Sequence, residues 1–449
     1  MSSAPVPTIP PHSLLVFLLQ LAVLLLLALS LGQLAARFKM PAIVGELLAG
    51  VIVGPSILSH VWPDLAGWLL PKDPGQMHLL DALGQVGVVL LVGITGMELK
   101  FDLVKRRRAT AVRVSLAGLL LPLGLGIGVG FLLPTSLMPG GTSPAVFSLF
   151  LGVAMCVTAI PVIAKTLIDM NLLHRDVGQL TLAAGVIDDV VGWFLLSIVS
   201  AMATAGLSTG TLATSLLYPV GVVLAAWLVG RPLVKAALRA AGRSASPAPT
   251  VAVAALIVLL GAAATQALHL EAVFGAFVCG VLIGTSGELD REKLAPLRIT
   301  VLSFLAPVFF ATAGIRMDLT ALTRPTVLVT ACVVLAVAIL GKFVGAYIGA
   351  KLSGLGRWEA LALGAGMNSR GVIEVVVAMV GLQLGVLSPE TYTIIILVAI
   401  VTSLMAPPIL RIAMARIDEH AEAEIALAET ETGTGTGTPE LASPPPASV

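Results

Sequence analysis

The sequence predicts an all-α polytopic membrane protein with about thirteen transmembrane helices, built from inverted repeats and carrying two discontinuous crossing helices. Three observations point there. Of 449 residues, 57% are hydrophobic and 11% charged, with a mean hydropathy of +1.02, whereas soluble domains carry about a quarter charged residues. Apolar windows of roughly 20 residues, long enough to cross the hydrocarbon layer, recur along the chain. Two of these windows contain polar or proline-bearing interruptions at matching places.

In chain order, Met1 to Ser13 is Pro-rich and lacks Lys and Arg, and is expected to be an extracytoplasmic segment. Leu14 to Ala36 reads as the first span, since a cleaved signal peptide has a basic start and a shorter apolar core. The windows centre near Leu25, Gly50, Leu90, Leu121, Met155, Asp189, Val222, Leu259, Val278, Phe309, Val337, Gly371 and Val398. Helices are expected, because lipid offers no partner for an unpaired backbone group. The span near Val278 is short. Residues 14–415 thus form one membrane domain. The tail, 416–449, turns acidic and ends in Gly-Thr repeats and Ser-Pro-Pro-Pro; such composition cannot bury a core and predicts a disordered cytoplasmic tail.

Loop charges set the orientation. With the N-terminus outside and the C-terminus in the cytoplasm, three of the 26 Lys and Arg fall outside (Lys72, Arg316, Arg324) and two lie within spans (Lys342, Arg370). All the others face the cytoplasm, as the positive-inside rule requires of a multi-pass protein of the cell membrane. The net charge of +1 gives no reason to expect a nucleic-acid partner. Cys156, Cys279 and Cys332 stand alone in separate apolar runs and read as small packing residues.

An internal repeat runs through these spans. Ala42-Ile-Val-Gly45 through Gly50 to Gly54-Pro-Ser56 aligns with Ala272-Val-Phe-Gly275 through Gly280 to Gly284-Thr-Ser286, and Gly96-Met-Glu-Leu-Lys-Phe-Asp102-Leu resembles Gly314-Ile-Arg-Met-Asp318-Leu. The paired spans are the second with the ninth and the third with the tenth. A separation of seven spans inverts the orientation, the architecture of many secondary transporters. The interruptions obey the same spacing. Thr158-Ala159-Ile160-Pro161 breaks the fifth span, since Pro161 lacks an N–H, and Asn368-Ser369-Arg370-Gly371 breaks the twelfth. Paired breaks offer free carbonyls and helix-end dipoles at mid-depth, where substrates bind. A simple kink is the alternative for each.

The chemistry centres on Asp188 and Asp189, adjacent carboxylates in the middle of an apolar run from about Gly178 to Ala201. One charge at that depth costs roughly 3 kcal/mol on insertion scales, so a pair calls for a function. Lys342 lies mid-way along the eleventh span, Arg370 and Glu374 are four apart on the twelfth, and Thr158 adds a hydroxyl. Protonated Lys342 can neutralise one aspartate, while the other binds a hard monovalent cation with hydroxyl and carbonyl oxygens. Protons and cation then compete for one site. Lys342 could instead serve only as a packing salt bridge, and Arg370 with Glu374 could merely hold the crossing region neutral.

Val157-Thr158-Ala-Ile-Pro161-Val-Ile-Ala-Lys165 and Ala184-Gly-Val-Ile-Asp188-Asp189-Val-Val-Gly-Trp193 resemble motifs of the monovalent cation:proton antiporter-2 family. Glu271-Ala-Val-Phe-Gly275, Pro307-Val-Phe-Phe-Ala-Thr-Ala-Gly314, Gly341-Lys342 and Asn368-Ser-Arg370-Gly-Val-Ile-Glu374 extend the likeness over residues 14 to 415. The resemblance implies the sodium/proton antiporter fold and a homodimer in membrane lipid. It also implies exchange of Na+ or K+ for H+ by elevator-type movement of a core domain against a dimerisation domain. It places the ion and proton site on Asp189, with Asp188 opposite Lys342. An Asp-Asp pair implies electrogenic exchange. Only a short tail follows the membrane part, so gating by an attached nucleotide-binding domain is not expected. No cofactor and no catalytic residue is expected either, as the six His are scattered and no Ser-His, Cys-His or metal-ligand set shares the aspartates' depth. The rival readings are a cation channel or membrane ion sensor, and a proton-coupled exporter of a small organic ion.

Overall fold

A computed structural model describes residues 9–38, 40–71, 73–99, 108–170, 172, 175–205 and 209–433. Lys39, Lys72 and the basic residues 105–107 used for the orientation lie outside these, as do the second half of the Gly96–Leu103 repeat segment and the tail beyond 433. The chain forms α1 (Pro11–Arg37), α2 (Ala42–Val53), α3 (Pro74–Glu98), α4 (Arg108–Leu132), α5 (Pro144–Cys156), α6 (Ile160–Asp169), α7 (Asp176–Ala205), α8 (Thr209–Ala225) and α9 (Arg231–Gly242). There follow α10 (Ala248–Ala267), α11 (Ala272–Gly284), α12 (Arg291–Thr300), α13 (Ala306–Ile315), α14 (Pro325–Lys351), α15 (Arg357–Met367), α16 (Val372–Gln383) and α17 (Pro389–Gly433). A single π turn joins α8 to α9 and another joins α12 to α13.

Helix starts follow local chemistry. Asp73 accepts the Gly75 N–H at 3.3 Å and Pro74 opens α3 where no N–H is needed. Asp290 accepts from the amides of Glu292 and Lys293 and caps α12. Burial surrounds α13 and α16 on every side but selects one stripe of a peripheral span. In α1 it is Val16, Gln20, Leu24, Ala28 and Gly32, one residue per turn, while Leu15, Leu18, Leu26 and Leu34 face outward.

Among the described residues, ten helices are long and apolar enough to cross a membrane, or eleven when the bent pair α15–α16 counts as one crossing. The sequence count of thirteen also includes α5–α6 and α11. At 13 residues, α5 and α11 each extend only about 20 Å, short of a full span. Two further differences concern element ends. The fifth span breaks at Val157–Ala159, before Pro161, so Pro161 sits in the first turn of α6 and tolerates the helix there. The last helix continues through residue 416 to Gly433, where a disordered tail was expected. The segment Ala421–Glu429 is rich in Ala and Glu, both strong helix formers.

Packing divides the helices into two groups. α2 lies between α1 and α13, and α11 lies between α10 and α3. Small residues make these contacts close. A Cβ on Gly50 would sit 1.9 Å from the Ala311 carbonyl oxygen, and one on Gly280 would sit 2.1 Å from that of Gly93. Gly45 and Gly275, the aligned residues of the repeat, abut α1 and α10 in the same way. Arg316 ties α13 to α3 by donating to both carboxylate oxygens of Asp81, at 2.5 and 2.6 Å. The second group gathers α4 to α7 with α14 to α17. Gly345 and Gly349 bring α14 against the backbone of α4 at Ala117 and Arg113, which fixes Lys342 beside the middle of α7.

Candidate functional site

The two interrupted spans supply the frame. Each leaves raw carbonyls where a helix stops, and each is closed by the other. Arg370, in the break between α15 and α16, donates to the carbonyls of Ala154 (3.0 Å) and Met155 (2.6 Å) at the end of α5, and to Ala338 O (3.2 Å) on α14. In return, the Thr158 hydroxyl, whose one proton is shared with Asp188, lies 3.2 Å from Met367 O at the end of α15, and the Ala159 amide donates to Ser369 O (3.2 Å). The Ser403 hydroxyl of α17 donates to the Arg370 carbonyl. Gly371 is required by this crossing, since a Cβ there would meet Val162 Cγ2 at 2.6 Å.

Charges fill the same region. Asp188, Asp189, Lys342 and Arg370 are all 0% exposed, and Glu374 and Asn368 are buried with them. Arg370 Nη1 lies 3.1 Å from Glu374 Oε1, an i,i+4 pair across the start of α16. Asn368 caps α15, with its side-chain oxygen unpartnered.

The adjacent aspartates meet opposite surroundings, because consecutive helical residues point about 100° apart. Asp188 is fully satisfied: Ser115 donates to Oδ1 at 2.5 Å, while Thr158 (2.7 Å) and Lys342 (2.5 Å) donate to Oδ2. Lys342 Nζ also donates to the Cys156 carbonyl at 2.5 Å, another orphan acceptor at the end of α5. Asp189 has no such partners. Both of its oxygens are buried without a side-chain partner, and the backbone amide of Ile160, at the start of α6, is the donor that faces the carboxylate. The ion pair thus cancels one negative charge and leaves the other at a helix N-terminus, whose dipole favours an anion.

Every site residue expected from the sequence falls in this one region: Asp188, Asp189, Thr158, Lys342, Arg370, Glu374, Asn368 and Gly371, with Pro161 in the adjoining turn of α6. Ser115 was not anticipated. A lone Ser in an apolar helix normally bonds to its own backbone, so the sequence carries no sign that it reaches Asp188. Among the described residues no three His, Cys, Asp or Glu side chains converge as a metal-holding group.

The model of the family described as "Sodium/hydrogen exchanger, transmembrane" matches residues 22–416. The chain belongs to this sodium/hydrogen exchanger family. It is 33% identical over 401 residues to the Na+/H+ antiporter NhaS4 of Synechocystis sp., covering 89% of this chain and 97% of that one. The Na+/H+-K+ antiporter GerN of Bacillus cereus is 28% identical, with 91% and 98% coverage. Cation/H+ antiporter 17 of Arabidopsis thaliana is 30% identical over 89% of this chain, which spans about half (48%) of that larger protein. In fold, the chain resembles the sodium proton antiporter MjNhaP1 of Methanocaldococcus jannaschii, with a TM-score of 0.66 at 18% identity over 90% of this chain and 99% of that one. The relatives are antiporters, not enzymes, as the sequence motifs implied.

Proposed function

We propose that this antiporter-family protein exchanges Na+ or K+ for H+, with Asp189 carrying either ion in turn. The observation behind this reading is the contrast within the aspartate pair: Asp188 is neutralised by Lys342 at 2.5 Å, and Asp189 is buried with no side-chain partner for either oxygen. A carboxylate in low dielectric needs a counter-ion or a proton. At high proton activity it is protonated; at high cation concentration it holds the cation. Because only one state fits at a time, occupancy by one ion expels the other.

Lys342 places an ammonium 2.5 Å from Asp188, beside the exchange site, and with more than one proton moving per cation the exchange would be electrogenic. The grouping of α4–α7 and α14–α17 apart from α1–α3 and α10–α13 suits an elevator in which the charge-bearing group slides against the other. The inverted repeat is supported by the equivalent packing of Gly45 and Gly50 with Gly275 and Gly280. We place the N-terminus outside, and two copies side by side in the membrane.

The test is dissipation of an imposed pH gradient in proteoliposomes, with Na+, K+ and Li+ added in turn. A cation-dependent proton flux with saturation supports exchange, and a response to membrane potential supports electrogenicity. Currents far above carrier turnover without obligatory proton counterflow would mark a channel and overturn this reading.

A further inference from the structure

On one face of α7, polar atoms continue beyond Asp189. Trp193, Ser197 and Ser200 follow at spacings of four, four and three, so they lie on the same side of the helix. All three are at most 1% exposed. Trp193 Nε1 and Ser197 Oγ have no hydrogen-bond partner, and Asp189 has no side-chain partner. This is unusual, since buried hydroxyls in helices ordinarily turn back onto the i−4 carbonyl, as Thr181 and Thr402 do here. The face looks toward α11, where the rings of Trp193 and Phe277 pack with centroids 5.9 Å apart.

The stripe ends beside a residue that lines a cavity. Ser200 Oγ, otherwise unpartnered, is approached by the carboxylate of Glu271, the residue that precedes α11. Glu271 lines a cavity of about 380 Å³ between the two helix groups, together with Gln85, Gln266 and Gln383 and the apolar Phe309 and Val376. One carboxylate and three amides around the cavity, with the Ser200 hydroxyl behind the carboxylate, form an oxygen-rich set of the kind that binds alkali ions rather than transition metals. From Ser200 to Asp189 the rise along the helix is about 16 Å.

We propose that Glu271 and Ser200 form a second, transient cation position at the membrane face where α7 ends, and that Ser197 and the Trp193 edge line the way from it to Asp189. The occupant is a partly hydrated monovalent cation. Its shed waters are replaced first by the Glu271 carboxylate and the glutamine amides, then by the α7 hydroxyl, before Asp189 takes it. The position is electrostatically suited to collecting cations at one membrane face only. This inference rests on Asp189 being the exchange site.

The experiment measures exchange in proteoliposomes of defined orientation, with Na+ or K+ supplied from one face at a time. Glu271→Gln is expected to raise the apparent KM about tenfold, equivalent to about 1.4 kcal/mol, at the α7-end face. The KM at the opposite face should stay within about twofold of the unsubstituted protein. A KM unchanged at both faces, or raised equally at both, overturns the proposal, as does a fall in kcat without any KM shift. Ser197→Cys provides a check that does not depend on Glu271. A water-soluble cationic thiol reagent added from the α7-end face should label it, and saturating cation should slow the labelling; no labelling in an exchanging protein overturns the proposed path. Failure of the unsubstituted protein to exchange at all would instead remove the reading of Asp189.

Discussion

Lys342 Nζ lies 2.5 Å from Asp188 Oδ2 and 2.5 Å from the Cys156 carbonyl oxygen, so one ammonium closes both a buried carboxylate and the end of a broken helix. Its neighbour in sequence, Asp189, is left with nothing of the kind. The division of labour between the two aspartates is therefore set by α14, a helix more than 130 residues downstream.

Removing Lys342 should be costly in a way that can be repaired. Lys342→Ala leaves Asp188 charged in lipid-depth surroundings with two hydroxyl donors, and breaking a buried pair costs about 3–5 kcal/mol. Adding Asp188→Asn to it should recover a large part of that loss. Thermal melts in detergent, run as a double-mutant cycle that includes Asp188→Asn alone, check this; a double variant whose loss equals the sum of the two single losses would show that the pair is not coupled. The pH profile of exchange should shift in Lys342→Ala.

Asp189→Asn keeps the shape and removes the charge. Exchange in proteoliposomes should fall to background, and the protein should lose its stabilisation by cation. For the unsubstituted protein, Na+ or K+ at 100 times its Kd should add about 2.7 kcal/mol, seen as a rise in melting temperature that Asp189→Asn abolishes. Retained exchange would assign the site elsewhere.

Arg370→Lys should destabilise nearly as much as Arg370→Ala, by about 3 kcal/mol or more. The guanidinium serves Ala154, Met155, Ala338 and Glu374 at once, a fork that a single ammonium cannot span. Full stability of the Lys variant would argue that charge alone suffices at this position.

Gly50→Ala should cost about 3 kcal/mol or beyond, since the added carbon has only backbone to push against at Ala311. Gly67→Ala, where nothing lies within 4 Å, should be neutral or stabilising. Yield of folded protein after detergent extraction separates the two.

Much of the site was legible because charge in an apolar run has few explanations. Asp188, Lys342, Arg370 and Glu374 stand out for that reason alone, and the pairs Asp188–Lys342 and Arg370–Glu374 both formed. The breaks were legible by residue type but not by position: Pro161 suggested its own location as the interruption, although the helix ends at Cys156 and restarts before the proline. Ser115 was not legible, because its role depends on α4 packing against α7 at the level of Asp188, and a sequence does not name which helices meet. Span counting was weakest at α5 and α11, where apolarity continues through neighbouring turns while the helices themselves are short. The helical continuation past 416 was hidden by the low-complexity stretch behind it.

The reciprocal closure of the two broken segments also bears on how such a molecule can change over generations. A substitution at Arg370 uncovers the stump of α5, and one at Thr158 uncovers that of α15, so neither crossing segment can drift freely while its counterpart stands still. Variants that succeed should therefore arrive as matched sets, and a graft of one segment alone from a distant relative should misfit even where its own residues look acceptable.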